Sequence, residues 1–213
     1  MKQPYLISLV LAGRTCLVAG GGPVAERKVI GILDAGAQVR VRSPRVTPRL
    51  EQLAAQGAID LARRPVTAED LEGVFLIFAA TDNAAVNAWL AAEAARRGFL
   101  LNVADQPELC SFYVPAVVSR GPVTLAVATG GASPLLARRL RERLETVIGE
   151  EYGRLAELLD DLREEVKTTL PTPPERAAAW ERVLDSPVLE LLVQGETAAA
   201  RAEARRQLGL PPE

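Results

Sequence analysis

Residues Thr15–Val29 read TCLVAGGGPVAERKV, and this stretch decides the fold of the chain. A short apolar run is followed by three glycines and then by a helix-favouring segment, which predicts a strand, a tight turn and a helix. The pattern G-x-G-x-x-A falls on Gly20, Gly22 and Ala25. In dinucleotide-binding turns the first glycine makes the turn, the second admits a pyrophosphate, and the third small residue lets the helix pack closely. The stretch therefore predicts a dinucleotide-binding turn, with a glycine-rich turn that binds nothing as the alternative.

The composition of the chain excludes several classes of function. With 213 residues and a net charge of −2, the chain can bury a substantial core, and its charge gives no reason to expect nucleic acid or a membrane as a partner. It contains no histidine, which excludes Ser-His-Asp triads, Cys-His pairs and imidazole zinc sites. Cys16 and Cys110 are not spaced as a metal-binding pair, so we predict reduced thiols and no metal site. Acid–base chemistry must then fall to Asp, Glu, Tyr or Lys.

The apolar segment near the amino end, Tyr5–Ala12, could be a signal peptide or a strand. It is short, lacks a convincing cleavage site, and runs directly through Gly13-Arg14 into the first predicted strand. We therefore predict that Tyr5–Ala12 is a strand leading into the fold. Since no run approaches the ~20 apolar residues of a membrane span, we expect a soluble, cytoplasmic protein.

The segment after the glycine turn completes a β-α-β unit. Val24–Ala35 is a predicted helix and Gln38–Arg42 a predicted strand. In NAD-binding units an acidic residue often ends this second strand and holds the ribose hydroxyls. Here Ser43-Pro44 stands at that place, flanked by Arg42 and Arg45. Arginines favour a 2′-phosphate whereas the serine suits a ribose hydroxyl, so the choice between NAD and NADP stays open.

Two later strands place polar residues at the same edge of the predicted parallel sheet. Val74–Ala80 (VFLIFAA) is followed by Thr81-Asp82-Asn83, and Phe99–Val103 is followed by Asp105. Ligands of open α/β folds bind at the carboxyl ends of the strands. These residues are therefore ligand-binding candidates, although Asp82 or Asn83 could instead cap a helix over Ala84–Arg97, and Asp105 could be a turn residue.

The character of the chain changes after Pro115. Two β-rich runs, Ala116–Ser119 and Val123–Ala128, predict a hairpin, and Ser133 is a predicted helix N-cap. The arginines of the following helix, from Leu135 to about Ile148, favour solvated salt bridges over anion binding. Further helices are predicted over Tyr152–Val166 and, as two or three short segments, over Glu175–Leu208.

Four stretches resemble the precorrin-2 dehydrogenase/sirohydrochlorin ferrochelatase family of siroheme and cobalamin synthesis: VAGGGPVAERKV, FAATDNAAVN, LLNVADQPELCSFYVPA and LAVATGGASPLLARRLRERLE. They occur in the family's order and spacing and cover roughly residues 3–150. The resemblance implies an α/β fold with a Rossmann-type NAD-binding domain (1–114), a central α+β dimerisation segment (115–149) and a small all-helical C-terminal domain (150–213). It also implies a homodimer whose active site lies between the nucleotide domain and the dimer elements. Some members are fused to a uroporphyrinogen methyltransferase domain, and within these 213 residues we expect none.

The family reaction implied by the resemblance is oxidation of precorrin-2 to sirohydrochlorin with NAD as cofactor. Asp105 matches the aspartate considered catalytic, and arginines near the site are candidate receivers for the substrate's carboxylates. Some members also insert ferrous iron, but we expect no relevant chelatase activity from a chain without histidine. The alternative function is a non-catalytic, NAD-responsive dimeric regulatory module. By position, the implied cofactor-binding residues are Gly20, Gly22, Pro23, Val24, Ser43, Pro44, Arg45, Thr81 and Asp82, and the substrate-binding candidates are Arg120, Ser133, Arg138 and Arg139.

Overall fold

The computed structural model describes residues 4–212 and divides the chain into two compact units, one ending at Val114 and one beginning at Pro115. The first unit is a parallel sheet with helices on both faces, and the second is a hairpin followed by helices. This architecture confirms the predicted α/β fold class.

The first unit contains a five-stranded parallel sheet in the order β3-β2-β1-β4-β5. From β1 the chain first adds β2 and β3 on one side and then crosses over to add β4 and β5 on the other. The carboxyl end of β1 is therefore the topological switch point, where such sheets bind ligands. The strands are β1 (Thr15–Ala19), β2 (Gln38–Arg42), β3 (Ile59–Ala62), β4 (Leu76–Ala79) and β5 (Leu100–Val103). The helices are α1 (Pro23–Asp34), α2 (Pro48–Ala55) and α3 (Ala84–Arg97), with short 3₁₀ helices at Ala68–Leu71 and Pro107–Leu109.

The sheet is buried on both faces, which explains the continuous apolar character of its central strands. Val18 and Phe78 pack with α1 and α2 on one face, whereas Leu17 and Ile77 pack with α3 on the other. Cys16 is fully buried in β1, and burial raises the pKa of its thiol to about 11. This cysteine is therefore a core residue and a poor nucleophile.

The free edge of β5 is sealed by side chains of the segment that follows it. Leu101 and Ser111 form two hydrogen bonds. The Leu101 N–H donates to Ser111 Oγ (2.8 Å), and the Leu101 carbonyl accepts from the Ser111 backbone N–H (2.9 Å). The Val103 N–H lies 3.2 Å from Cys110 Sγ, which in turn donates to the Val103 carbonyl. Two residues, Cys110 and Ser111, thus satisfy the outward backbone groups of Leu101 and Val103 in an edge strand.

The predicted strand at Tyr5–Ala12 is wrong. Residues 4–12 form no strand, and Tyr5 and Val10 are 91% and 77% exposed. Only Leu11 of this segment is buried. Apolar composition favours a strand, but a strand also needs a hydrogen-bonded neighbour, and none of the described strands pairs with this segment.

The second unit begins with the predicted hairpin, β6 (Ala116–Arg120) and β7 (Val123–Val127), which pair antiparallel. Its helices are α4 (Pro134–Glu145), α5 (Glu150–Asp161), α6 (Arg163–Thr169), α7 (Pro173–Leu184), α8 (Val188–Val193) and α9 (Thr197–Leu208). The single helix predicted over Tyr152–Val166 is divided at Leu162, whose fully buried side chain belongs to the core formed by α5 to α9. Gly153 of α5 lies so close to the hairpin that an added Cβ would be 2.7 Å from the Arg120 carbonyl oxygen.

Candidate functional site

The first glycine of the turn, Gly20, is required by the fold itself. Its φ of +130° is a conformation that side-chain-bearing residues rarely adopt, and an added Cβ would overlap the Ala80 carbonyl oxygen after β4. Gly20 therefore lets the turn pass directly against the end of the neighbouring strand.

The middle glycine, Gly21, holds a role that the sequence pattern missed. A Cβ there would overlap the Arg45 carbonyl oxygen and lie 2.9 Å from Ser43 Oγ. The Thr47 N–H donates to the Gly21 carbonyl (2.9 Å). The loop after β2 is thus fastened directly onto the glycine turn. The run of three glycines was the available signal, since the G-x-G-x-x-A pattern leaves Gly21 unconstrained.

Gly22 differs from its neighbours because no protein atom requires a glycine there. Its φ of −83° suits any residue, and an added Cβ would meet nothing within 4 Å. It is the N-cap of α1, and no side chain caps the first-turn N–H groups of that helix. Open space beside uncapped donors fits a bound anion such as a pyrophosphate. Pro23 at the first helical position withholds no donor that the helix would use.

A cleft of about 680 Å³ opens over the carboxyl ends of β1, β2 and β4. Its size is within the range of small-molecule and cofactor sites. The cleft brings together all nine residues proposed above for cofactor binding, whose individual binding roles stay predictions: Gly20, Gly22, Pro23, Val24, Ser43, Pro44, Arg45, Thr81 and Asp82.

A buried ion-pair network supports the wall of the cleft beneath the loop after β2. Arg42 Nε donates to Asp70 Oδ1 (2.6 Å), and both side chains are less than 10% exposed. Arg64 donates to both oxygens of the same carboxylate (2.6 and 2.8 Å). Burial alone raises the pKa of Asp70, but the hydrogen bonds from Arg64 and Arg42 outweigh it and hold this pKa well below its usual range.

This network determines whether Arg42 can bind a cofactor phosphate. Arg42 also donates to the carbonyl and carboxylate oxygens of Asp60, so its guanidinium is committed to protein acceptors. Arg42 is therefore not available for a cofactor phosphate. The structural partner Asp70 lies 28 residues away in the sequence, and no local motif could have found it.

Ser43 and Arg45 lie on the cleft wall in different hydrogen-bonding states. Ser43 is buried, and its hydroxyl donates to the Arg45 carbonyl oxygen (2.6 Å). Its oxygen can still accept a hydrogen bond. Arg45 is exposed, and its guanidinium makes no hydrogen bond or ion pair to any residue between 4 and 212.

The loop after β4 is held by two asparagines. Asn83 caps α3 by accepting from Ala85 N and Val86 N (3.0 and 3.2 Å), which decides the capping alternative in its favour over Asp82. The buried Asn87 donates to the Thr81 carbonyl oxygen (3.1 Å). Thr81 and Asp82 are left on the cleft wall.

Asp105 follows β5 at the same edge of the sheet but is not on the wall of the cleft. It is exposed and has a φ of +59°, the only positive value of a non-glycine residue within the described part of the chain. Aspartate tolerates this left-handed conformation better than most residues, and strained backbone of this kind occurs often at functional sites. The loop is anchored by Cys110, whose thiol also lies 3.4 Å from the Gln106 carbonyl oxygen.

The substrate-binding candidates of the second unit are largely engaged in local contacts. Arg120 donates to the Ile148 carbonyl (3.0 Å) and pairs with Glu150 (3.3 Å). Arg138 pairs with Glu142 (3.5 Å), and Ser133 caps α4 by accepting from Leu136 N (3.2 Å). Arg139 is exposed and has no side-chain partner within residues 4–212. Their roles toward a substrate stay predictions.

The sheet, the glycine turn and the cleft define a dinucleotide-binding protein of the Rossmann class. Residues 7–116 match the family described as "Putative NAD(P)-binding". Residues 120–146 match "Sirohaem biosynthesis protein central", and residues 151–208 match "Sirohaem synthase dimerisation region". The chain belongs to the precorrin-2 dehydrogenase family, which includes the amino-terminal regions of siroheme synthases.

Individual relatives agree with this assignment. The chain is 49% identical over 189 residues to the siroheme synthase of Methylococcus capsulatus and 46% identical over 206 residues to that of Nitrosospira multiformis. It spans 40% and 44% of the lengths of these two proteins, and they span 89% and 95% of the chain. Among solved structures, "SirC, precorrin-2 dehydrogenase" superposes with a TM-score of 0.80 at 30% identity, over 97% of this chain and 99% of that one.

Residues 4–212 contain neither a membrane-spanning helix nor a cluster of metal-binding side chains. No helix is long and apolar enough to cross a membrane. No group of three or more Cys, Asp or Glu side chains is arranged to hold a metal ion.

Proposed function

We propose that the protein oxidises precorrin-2 to sirohydrochlorin with NAD+ as hydride acceptor, in the synthesis of siroheme or cobalamin. The observation that carries the proposal is the open face of Gly22, where uncapped helix N–H groups meet a cleft large enough for a dinucleotide. The 30% identity to a precorrin-2 dehydrogenase over nearly the whole of both chains supports the substrate.

The reaction divides the chemistry between cofactor and protein. NAD+ supplies a carbon centre that accepts a hydride, and the substrate also loses a proton as its new double bond forms. The product is sirohydrochlorin, with NADH and one proton released. We assign the proton to Asp105, whose carboxylate lies at the ligand-binding edge of the sheet and is exposed to an incoming substrate.

Ser43 supports NAD+ over NADP+. Its hydroxyl already donates to the Arg45 carbonyl, so toward a cofactor it offers an acceptor. A ribose 2′-hydroxyl has a hydrogen to donate to that oxygen, whereas a 2′-phosphate dianion has none. Of the two arginines that line the cleft within residues 4–212, Arg42 is bound to protein acceptors and Arg45 is exposed, where solvent weakens its attraction for a phosphate.

The experiment is anaerobic incubation of the protein with precorrin-2 and NAD+, followed by absorbance. Appearance of NADH together with sirohydrochlorin supports the function, and a lower kcat/KM with NADP+ supports the cofactor choice. No oxidation with either cofactor contradicts the function and favours the regulatory module.

We further propose that the protein does not act as a chelatase, and a second incubation tests this. Fe2+ or Co2+ is added to the sirohydrochlorin produced, with a sample lacking protein as control. Metal insertion as fast as the oxidation would contradict the proposal.

A further inference from the structure

Lys28 of α1 is a half-buried cation beside the aromatic pair Phe78 and Phe112 of the first unit. Its Nζ lies 5.2 Å from the centre of the Phe78 ring. Phe78 packs edge-to-face on Phe112, with 5.5 Å between ring centres and 73° between ring planes. The ammonium is thus held in place by aromatic surface, to which it is attracted through the ring quadrupole.

The charge of Lys28 has no acidic partner in the part of the chain that the structure describes. No hydrogen bond or ion pair of Lys28 occurs within residues 4–212. Burial, and after it the nearby Arg27, lower the pKa of Lys28. A cation–π contact compensates only a small part of the desolvation of an ammonium, so a carboxylate would stabilise this position further.

The composition of the chain makes Lys28 unusual. Only three of the 25 basic residues are lysines. Lys2 lies outside the described residues, and Lys167 is an exposed residue of α6 that pairs with Glu164. An arginine-rich chain therefore has a lysine at a half-buried site with no counter-ion among residues 4–212.

Lys28 lies near the segment that follows β5, because the ring beneath it, Phe78, packs on Phe112 of that segment. Phe78 pairs in register with Asn102 of β5, whose amide nitrogen donates to the Phe112 carbonyl oxygen (3.1 Å) and lies 3.7 Å from Sγ of Cys110, which anchors the Asp105 loop. Lys28 is not on the wall of the cofactor cleft. It lies about 7.5 Å along the α1 axis from Pro23, at 1.5 Å per residue, and so is separated from the phosphate-binding turn.

We propose that Lys28 binds a carboxylate side chain of the tetrapyrrole substrate, and the proposal rests on the function proposed above. The substrate carries many acetate and propionate groups, and a carboxylate offers the partner that Lys28 lacks. The ammonium donates to the carboxylate while Phe78 keeps it in place, which orients the macrocycle toward the Asp105 loop.

Steady-state kinetics with three variants test this role. Lys28→Met removes the charge and keeps an unbranched apolar side chain, Lys28→Arg keeps the charge, and Lys167→Met is the control. Because hydrogen bonds to charged groups are worth about 10- to 100-fold in affinity, we expect Lys28→Met to raise the KM for precorrin-2 at least about 10-fold. Lys28→Arg should restore much of this loss, and the KM for NAD+ should be unchanged in all three variants.

A binding measurement tests the contact without turnover. Protein labelled with ¹³C at the lysine ε-carbons gives three side-chain signals, and Lys28→Arg identifies that of Lys28. Saturation with sirohydrochlorin should shift the Lys28 signal and leave that of Lys167 unmoved. NAD+ alone should not produce the same shift.

The outcomes separate the two proposals. Wild-type protein that does not oxidise precorrin-2 contradicts the proposed function. Wild-type turnover together with an unchanged precorrin-2 KM in Lys28→Met, or a Lys28 signal that stays unmoved at saturation, overturns the role of Lys28 alone. A raised KM for NAD+ in place of precorrin-2 would reassign Lys28 to the cofactor and also overturns it.

Discussion

Two glycines of the same turn have opposite reasons for lacking a side chain, and this difference is testable. Gly20→Ala forces a Cβ onto the Ala80 carbonyl at a φ of +130°, so we expect a loss of at least about 3 kcal/mol in the free energy of unfolding. Gly22→Ala fills open space at a helix N-cap and should cost less than about 1 kcal/mol. Its Cβ instead occupies the space proposed for the pyrophosphate, so NADH affinity should fall at least about 10-fold.

NADH fluorescence titration and urea denaturation measure the two effects. Trp89 lies in the first unit and Trp180 in the second, so a Trp180→Phe background reports unfolding of the first unit alone. Unimpaired NADH binding by Gly22→Ala would remove the main support for the cofactor site.

Asp105 combines a chemical role with a backbone requirement. Asn tolerates the left-handed conformation as Asp does, so Asp105→Asn should keep the fold and the affinity for NADH. Since the amide cannot take a proton, we expect kcat for precorrin-2 oxidation to fall at least about 100-fold. Steady-state absorbance at saturating precorrin-2 and NAD+ measures kcat. A variant that keeps half of the wild-type rate would show that the proton leaves by another route.

At the scale of elements, the Asp70 network ties β2 to the segment after β3. Asp70→Asn leaves the buried Arg42 without its closest carboxylate, and we expect a loss of about 3 kcal/mol in the free energy of unfolding. Asp60→Asn is the control, because Asp60 is 59% exposed and its pairs should contribute less than about 1 kcal/mol.

The Asp70 contribution has a defined pH dependence. The folded pKa lies below the value of about 3.9 of an unfolded aspartate, so the stabilisation is fully present above that value and is lost as the pH falls toward the folded pKa. Urea denaturation in the Trp180→Phe background should show the difference between wild type and Asp70→Asn shrinking from pH 6 to pH 3. A difference that is constant over this range would contradict the assignment.

Close packing between α5 and the β6–β7 hairpin gives a second prediction for elements. Gly153→Ala should destabilise the second unit by about 1–3 kcal/mol, because its Cβ meets the Arg120 carbonyl. Gly31 lies within α1 with nothing near its added Cβ, so Gly31→Ala should stabilise the first unit by about 0.5–1 kcal/mol. Denaturation in Trp89→Phe and Trp180→Phe backgrounds measures each unit, and equal effects of the two substitutions would contradict this packing.

Local patterns predicted most elements because their signals are short-range. Gly98 ends α3 in a left-handed conformation, and Asn83 begins it, so both limits of that helix were predicted from adjacent residues. The failures have non-local causes. Tyr5–Ala12 is apolar but lacks a pairing partner, and the role of Arg42 depends on Asp70, which the fold alone brings close. For the same reason no local pattern predicts that Lys28 lies over Phe78.

At the scale of the whole molecule, we propose a homodimer, because residues 151–208 match the family described as "Sirohaem synthase dimerisation region". We expect the contact to use residues 115–149, where Leu135, Leu136 and Leu140 of α4 are 41–52% exposed. Leu136→Glu should give a monomer by sedimentation, because it places an unpaired charge in an apolar interface. Leu184→Glu, at a similarly exposed leucine of α7 within residues 151–208, tests that segment as the other candidate contact. A monomer from Leu184→Glu alone would transfer the contact to residues 151–208, which match the dimerisation region.

The seal that Cys110 and Ser111 place on β5 limits how copies of this protein can associate. An exposed edge strand is a template on which another chain can add a strand, and such recruitment leads to open-ended aggregation. Here the outward N–H and C=O groups of Leu101 and Val103 already form hydrogen bonds within the protein. At these two residues the edge of β5 therefore cannot pair with a strand of another chain. The side chains that shape the Asp105 loop thus also protect the protein from polymerising through β5.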